Sequence, residues 1–112
     1  MDIKINTWLL DIQQCIDEIF VFNNENTDFK KYKSDLKTKK AIERNIEIIG
    51  EAVNRILKVD NDFPLKNAKN IIGTRNRIIH SYDNISDEVI WTIVQRELPD
   101  LKIQIEKLLK QE

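Results

Sequence analysis

The chain has 112 residues, a formal charge of −1, 33% charged residues and only two glycines and two prolines. That length makes one domain, residues 1–112, with room for one core, and so little turn chemistry beside abundant Ile, Leu, Lys and Glu excludes a β-rich fold and predicts an all-α one. Cys15 is the single cysteine, so no intrachain disulfide forms, as in a reducing compartment.

No apolar run approaches the ~18 residues of a membrane span. Residues 1–4 lead straight into an amphipathic pattern, so no signal peptide, no membrane partner and a cytoplasmic location are expected. Charge is unevenly spread: residues 30–80 hold thirteen Lys and Arg against six Asp and Glu, and the rest of the chain holds five against thirteen. A basic centre between acidic ends suits an anionic partner, although solvated helix faces alone also produce such runs.

Ile5, Trp8, Leu9, Ile12, Ile16, Ile19 and Phe20 recur at spacings of three and four and predict a helix over 4–22. Cys15 sits beside that stripe as a core filler with no base near it. A polar break at 23–27 leads to Asp28, which can cap a short helical turn to about residue 32. The lysines at 30, 31, 33, 37, 39 and 40 follow, then a second long helix over 35–59. Its stripe is Leu36, Ile42, Ile46, Ile49, Val53 and Ile56. Gly50 in its middle costs about 1 kcal/mol against Ala and marks a close helix contact. Glu43, Glu47, Glu51 and Arg55 form a ladder of i,i+4 spacings ending in a favourable Glu51–Arg55 pair.

Pro64 is expected in the first turn of a third long helix over 65–82. Ser86 caps the last helix, whose stripe runs from Val89 to Leu109, with a kink or restart at Pro99. Trp91 falls off that stripe and is expected at an edge or an interface. Four long helices with short connections, plus the short turn at 28–32, make an up-down four-helix bundle with one extra short helix.

The third helix carries the one histidine of the chain, in Arg75-Asn76-Arg77-Ile78-Ile79-His80-Ser81-Tyr82. Residues five apart stand about 140° around a helix, so Arg75 and His80 leave on different faces, while Asn76 and His80 share one. A second copy of the helix would bring the groups together, and small Gly73 and Trp91 add to the case for a homodimer about this helix. One histidine, no second cysteine and a lone Gly73 argue against a metal site, a cofactor or a phosphate loop. What remains fits RNA cleavage through the 2′-hydroxyl. His80 would move protons and Arg75 would steady the phosphorane, with Asn76 and Tyr82 orienting His80 or bonding the phosphate. On residue types alone, a lone histidine near a helix C-terminus is more often a favourable dipole contact.

The run R-N-R-I-I-H-S-Y over 75–82 resembles the R-x-x-x-x-H-x-Y motif of the HepT-like HEPN toxins. Arg44-Asn45-Ile46-Glu47-Ile48-Ile49-Gly50-Glu51-Ala52 is similar to that family's second-helix signature, and Ile71-Ile72-Gly73 and Glu97-Leu98-Pro99-Asp100-Leu101 flank the motif in the same way. The resemblance covers nearly the whole chain. It implies a HEPN-like bundle that dimerises with its motifs facing and acts as a metal-independent endoribonuclease, with Arg75 and His80 catalytic. It also implies an MNT-type nucleotidyltransferase antitoxin that silences the toxin by AMP transfer, with Tyr82 the acceptor. A second reading of the same resemblance is a non-catalytic substrate-binding subunit of a nucleotidyltransferase.

Overall fold

A computed structural model describes residues 2–80 and 85–110. Among the described residues there is no strand. The order is α1 (Ile3–Phe22), α2 (Phe29–Ser34), α3 (Leu36–Val59), α4 (Ala68–His80), α5 (Asp87–Thr92), a π turn (Ile93–Glu97) and α6 (Leu98–Lys110). The last three elements run on as one helical rod. The fold is therefore the expected all-α bundle of four long members, with α2 as the extra short helix. None of the described helices is long and apolar enough to cross a membrane.

Each start is made locally. The Asp2 carboxylate accepts from the Lys4 and Ile5 N–H groups at 2.7 and 3.3 Å, Asp28 from Lys31 at 2.9 Å, and Asp35 from Thr38 at 3.1 Å. The Ser86 hydroxyl accepts from Val89 at 3.2 Å. These side chains satisfy N–H groups that a helix start leaves without partners. Asp35 also accepts from the Asn26 amide at 3.2 Å. Its bonds from Thr38 come first in holding its carboxyl below the usual carboxylate range.

Helix α3 is the axis of the fold. Against it α1 runs antiparallel: Phe22 C=O meets the Thr38 hydroxyl at 3.4 Å, and Asn45 reaches Cys15 C=O and Glu18 at 3.3 and 3.0 Å. The α4 helix lies antiparallel on another side of α3, and the C-terminal rod returns along α4. Lys66 N–H donates to Gln104 at 2.9 Å and Asn70 to Glu97 at 2.8 Å. A Lys102–Asp17 pair at 2.7 Å closes the rod onto α1. Ile5, Leu9, Ile12, Ile16 and Ile19 of α1 are buried against Ile42, Ile46, Ile49, Val53 and Ile56 of α3, as their spacing predicts. Cys15 is buried among them, and burial pushes its thiol up to about 11, so it stays protonated and inert at neutral pH.

Two expectations are corrected. Leu36 is 63% exposed, because the first residue of α3 projects past the end of α1. Helix α4 starts at Ala68, not near Pro64: Asn67 takes φ 61°, a left-handed turn that asparagine tolerates, and its carbonyl then accepts from Ile71 at 3.0 Å. Trp91 is half-buried at the edge of the core, its ring 6.0 Å from Phe29 and 5.3 Å from Tyr32. Gly73, expected at a contact between two copies, faces open space among the described residues, for a Cβ built there meets nothing within 4 Å. At Pro99 the rod does change its bonding. Proline has no N–H for the carbonyl four residues back, and the helix widens into the π turn just ahead, with Leu98 N–H donating to Ile93 C=O.

Candidate active site

Gly50 and Arg75 meet where α3 and α4 cross. A Cβ at Gly50 would collide with Arg75 Cβ and stand 3.0 Å from its Cγ and 3.2 Å from its Cδ. The missing side chain is the groove in which the Arg75 stem lies. At its far end, Arg75 Nη2 pairs with Glu51 Oε2 at 2.7 Å, and Arg75 Nη1 donates to Asn76 Oδ1 at 3.1 Å. Arg75 Nε is buried and has no hydrogen-bond partner among the described residues. Glu51 is shared: its Oε1 accepts from Arg55 Nε at 3.1 Å, the pair expected at the end of the α3 ladder.

This guanidinium sits in a cleft of about 280 Å³. Trp8 and Asp11 of α1 form one wall, Arg44 and Glu51 of α3 the floor, and Arg75 and Ile79 of α4 the other wall. Basic and acidic groups alternate across it, with Arg44 also bound to Glu47 at 3.0 Å. The lysine run is not among the residues lining this cleft, and its Lys39 is engaged by Asp87 at 3.3 Å and by Lys33 C=O at 3.2 Å.

The remaining motif residues are placed differently. His80 ends α4 and is exposed; it is not among the groups lining the cleft. Asn76 holds Arg75, where sequence reasoning had it orienting His80 or bonding the phosphate. Tyr82 lies outside the described residues. The other tyrosine, Tyr32, is fully buried, and burial, with Asp87 and Glu43 nearby, raises its pKa above the usual tyrosine value. One chain thus brings Arg75, Asn76, Glu51 and Gly50 together and leaves His80 on an outer face. Sequence reasoning missed Glu51 as a partner of Arg75. Its signal was adjacency to Gly50, whose helix cost already marked a close contact.

The model of the HepT-like family, described as ribonuclease HepT-like, matches residues 12–108. A Methanocaldococcus jannaschii protein provisionally named as an RNase is 35% identical over 107 residues, which cover 95% of this chain and 88% of its own. A Thermococcus cleftensis protein provisionally named ribonuclease HepT is 36% identical over 107 residues, covering 92% of this chain and 94% of its own. A further provisional RNase, from Caldanaerobacter subterraneus, is 30% identical over 105 residues, covering 90% and 89%. No solved structure matches the chain.

Proposed function

The chain belongs to the ribonuclease HepT-like family, and from that membership we propose that it is a metal-independent endoribonuclease, the toxin of a toxin–antitoxin pair. The observation that carries this reading is Arg75, at the head of the R-x-x-x-x-H-x-Y motif, held on the rim of an open cleft by Gly50, Glu51 and Asn76. A guanidinium so held offers its outer N–H groups to a phosphate. His80 supplies proton transfer. One copy's His80 takes the 2′-hydroxyl proton, the 2′-oxygen attacks the adjacent phosphorus, the 5′-oxygen leaves with a proton from the other copy's His80, and Arg75 balances the charge of the phosphorane between them.

Arg75 faces the cleft and His80 stands outside it, so the site is completed by a second copy. We therefore read the working unit as a homodimer with α4 at or near its two-fold axis. Light scattering at micromolar concentration should give twice the 13.3 kDa chain mass; a monomer would overturn the composite site. The reaction needs no divalent ion. Cleavage should survive EDTA and leave 2′,3′-cyclic phosphate ends. Loss in chelator with rescue by magnesium would reject this route.

An MNT-type nucleotidyltransferase is the proposed antitoxin. The Tyr82 hydroxyl attacks the α-phosphorus of ATP and pyrophosphate leaves, which adds bulk and negative charge next to the motif. Tyr32 is no rival acceptor in the folded chain, because it is fully buried. Incubation with the transferase and ATP, followed by mass spectrometry, should find AMP on Tyr82 and no remaining cleavage. Full activity after complete modification would sink the silencing model.

A further inference from the structure

We propose that Glu51 is a positioning residue for Arg75, holding the guanidinium in the pose in which it meets the phosphate; this rests on the ribonuclease reading above. The cost of that pose is visible. Arg75 Nε is buried and has no hydrogen-bond partner among the described residues, and a buried donor left unbonded is unfavourable. Left to itself, the side chain would swing out and hydrate that N–H. Two features oppose the swing. Gly50 leaves the groove for the stem, and the Glu51 carboxylate grips Nη2 at 2.7 Å.

Glu51 is itself restrained. Arg55, one turn further along α3, binds its other oxygen at 3.1 Å, so the carboxylate is steadied from two sides. Asn76 takes Nη1 at 3.1 Å. Among the described residues these bonds use one proton on each Nη, which leaves the second on each for a phosphate. In this arrangement the carboxylate orients the cation and leaves its outward protons to the substrate.

The same geometry admits an opposite role, in which Glu51 is an internal anion that competes with RNA for Arg75. Glu51→Gln separates the two, because it keeps the size and one acceptor and removes the charge. Positioning predicts that kcat falls roughly 10- to 10²-fold, the scale of a misplaced group, with KM and RNA affinity moving less than about threefold. Glu51→Asp should recover part of the loss. Competition predicts tighter RNA binding with undiminished kcat, and that result would overturn the proposal.

A second readout does not depend on activity. The Arg75 Nε–H, shielded in the wild-type protein, should give a distinct, slowly exchanging ¹⁵N-correlated NMR signal that Glu51→Gln broadens or abolishes. A wild-type signal unchanged in the variant overturns positioning whatever the kinetics. A wild-type protein that cleaves no RNA overturns the ribonuclease reading instead, while loss of the signal would still establish that Glu51 positions Arg75.

Discussion

Replacing His80 with alanine is expected to lower RNA cleavage by roughly 10²-fold or more, the usual scale for losing a general acid–base group. His80 is exposed at the end of α4, so the variant should unfold within about 0.5 kcal/mol of the wild type. Arg75→Ala should cost a comparable factor in turnover and weaken RNA binding less, because its charge matters most when the phosphorane forms. It differs from His80→Ala in one respect: it also removes the stem that fills the Gly50 groove, so a modest loss of stability accompanies it. Single-turnover cleavage of a labelled RNA, filter binding and growth on induction check the three quantities. Cleavage and toxicity untouched by His80→Ala would remove the ribonuclease reading and leave a non-catalytic nucleotidyltransferase subunit in its place.

Gly50→Ala is expected to be the most damaging single-methyl change in the bundle. An alanine there gains up to about 1 kcal/mol of helix propensity. Against that, its methyl runs into Arg75 Cβ, an atom fixed to the α4 backbone that has no rotamer by which to retreat. The helices must part or tilt, and overpacking of this kind costs typically 1–3 kcal/mol. The net expectation is a loss of roughly 1–2 kcal/mol, or a fall of about 5–10 °C in Tm. Cleavage should fall as well, since the guanidinium moves with its stem. Gly73→Ala is the control. The same propensity gain meets open space, so thermal unfolding should show it unchanged or stabilised by up to about 1 kcal/mol. Equal behaviour of the two variants would refute the close crossing of α3 and α4.

Much of this was legible from residues alone, for reasons that differ by position. Asp28 and Ser86 act on N–H groups three residues away, so the starts of the short α2 and of the last helix were read locally, while the same role of Asp2 and Asp35 was not named. The isoleucine stripes of α1 and α3 are set by helix periodicity, and they are buried as spaced. Gly50 declared a close approach through its helix cost, but nothing in its spacing named Arg75 as the neighbour. The α3 ladder explained Glu51 through Arg55 and so hid its stronger bond to Arg75 on another helix. Trp91, expected at an edge or an interface, sits half-buried at the edge of the core, but its partners Phe29 and Tyr32 come from a distant stretch and could not be named from its spacing. The delayed start of α4 depends on the left-handed Asn67, a backbone choice that the preceding Pro64 does not foretell. Tyr82, which the motif singles out, lies outside the described residues.

The buried amide of Asn45 has a consequence for how the site is kept in alignment. Where α1 meets α3 the surfaces are largely isoleucine on isoleucine. Such surfaces tolerate sliding: a shift of one turn, about 5.4 Å, replaces one branched side chain with another. In the observed alignment Asn45 donates to Cys15 C=O and Glu18. A slide that took both acceptors away would leave it buried and unbonded, at a cost of about 1–3 kcal/mol. A single polar side chain thus works as the index mark on an otherwise smooth scale. Trp8 and Asp11 ride on α1 and wall the cleft beside Arg75, so the mark that sets the helix pair also sets which residues face the substrate, from well over a turn away along α3.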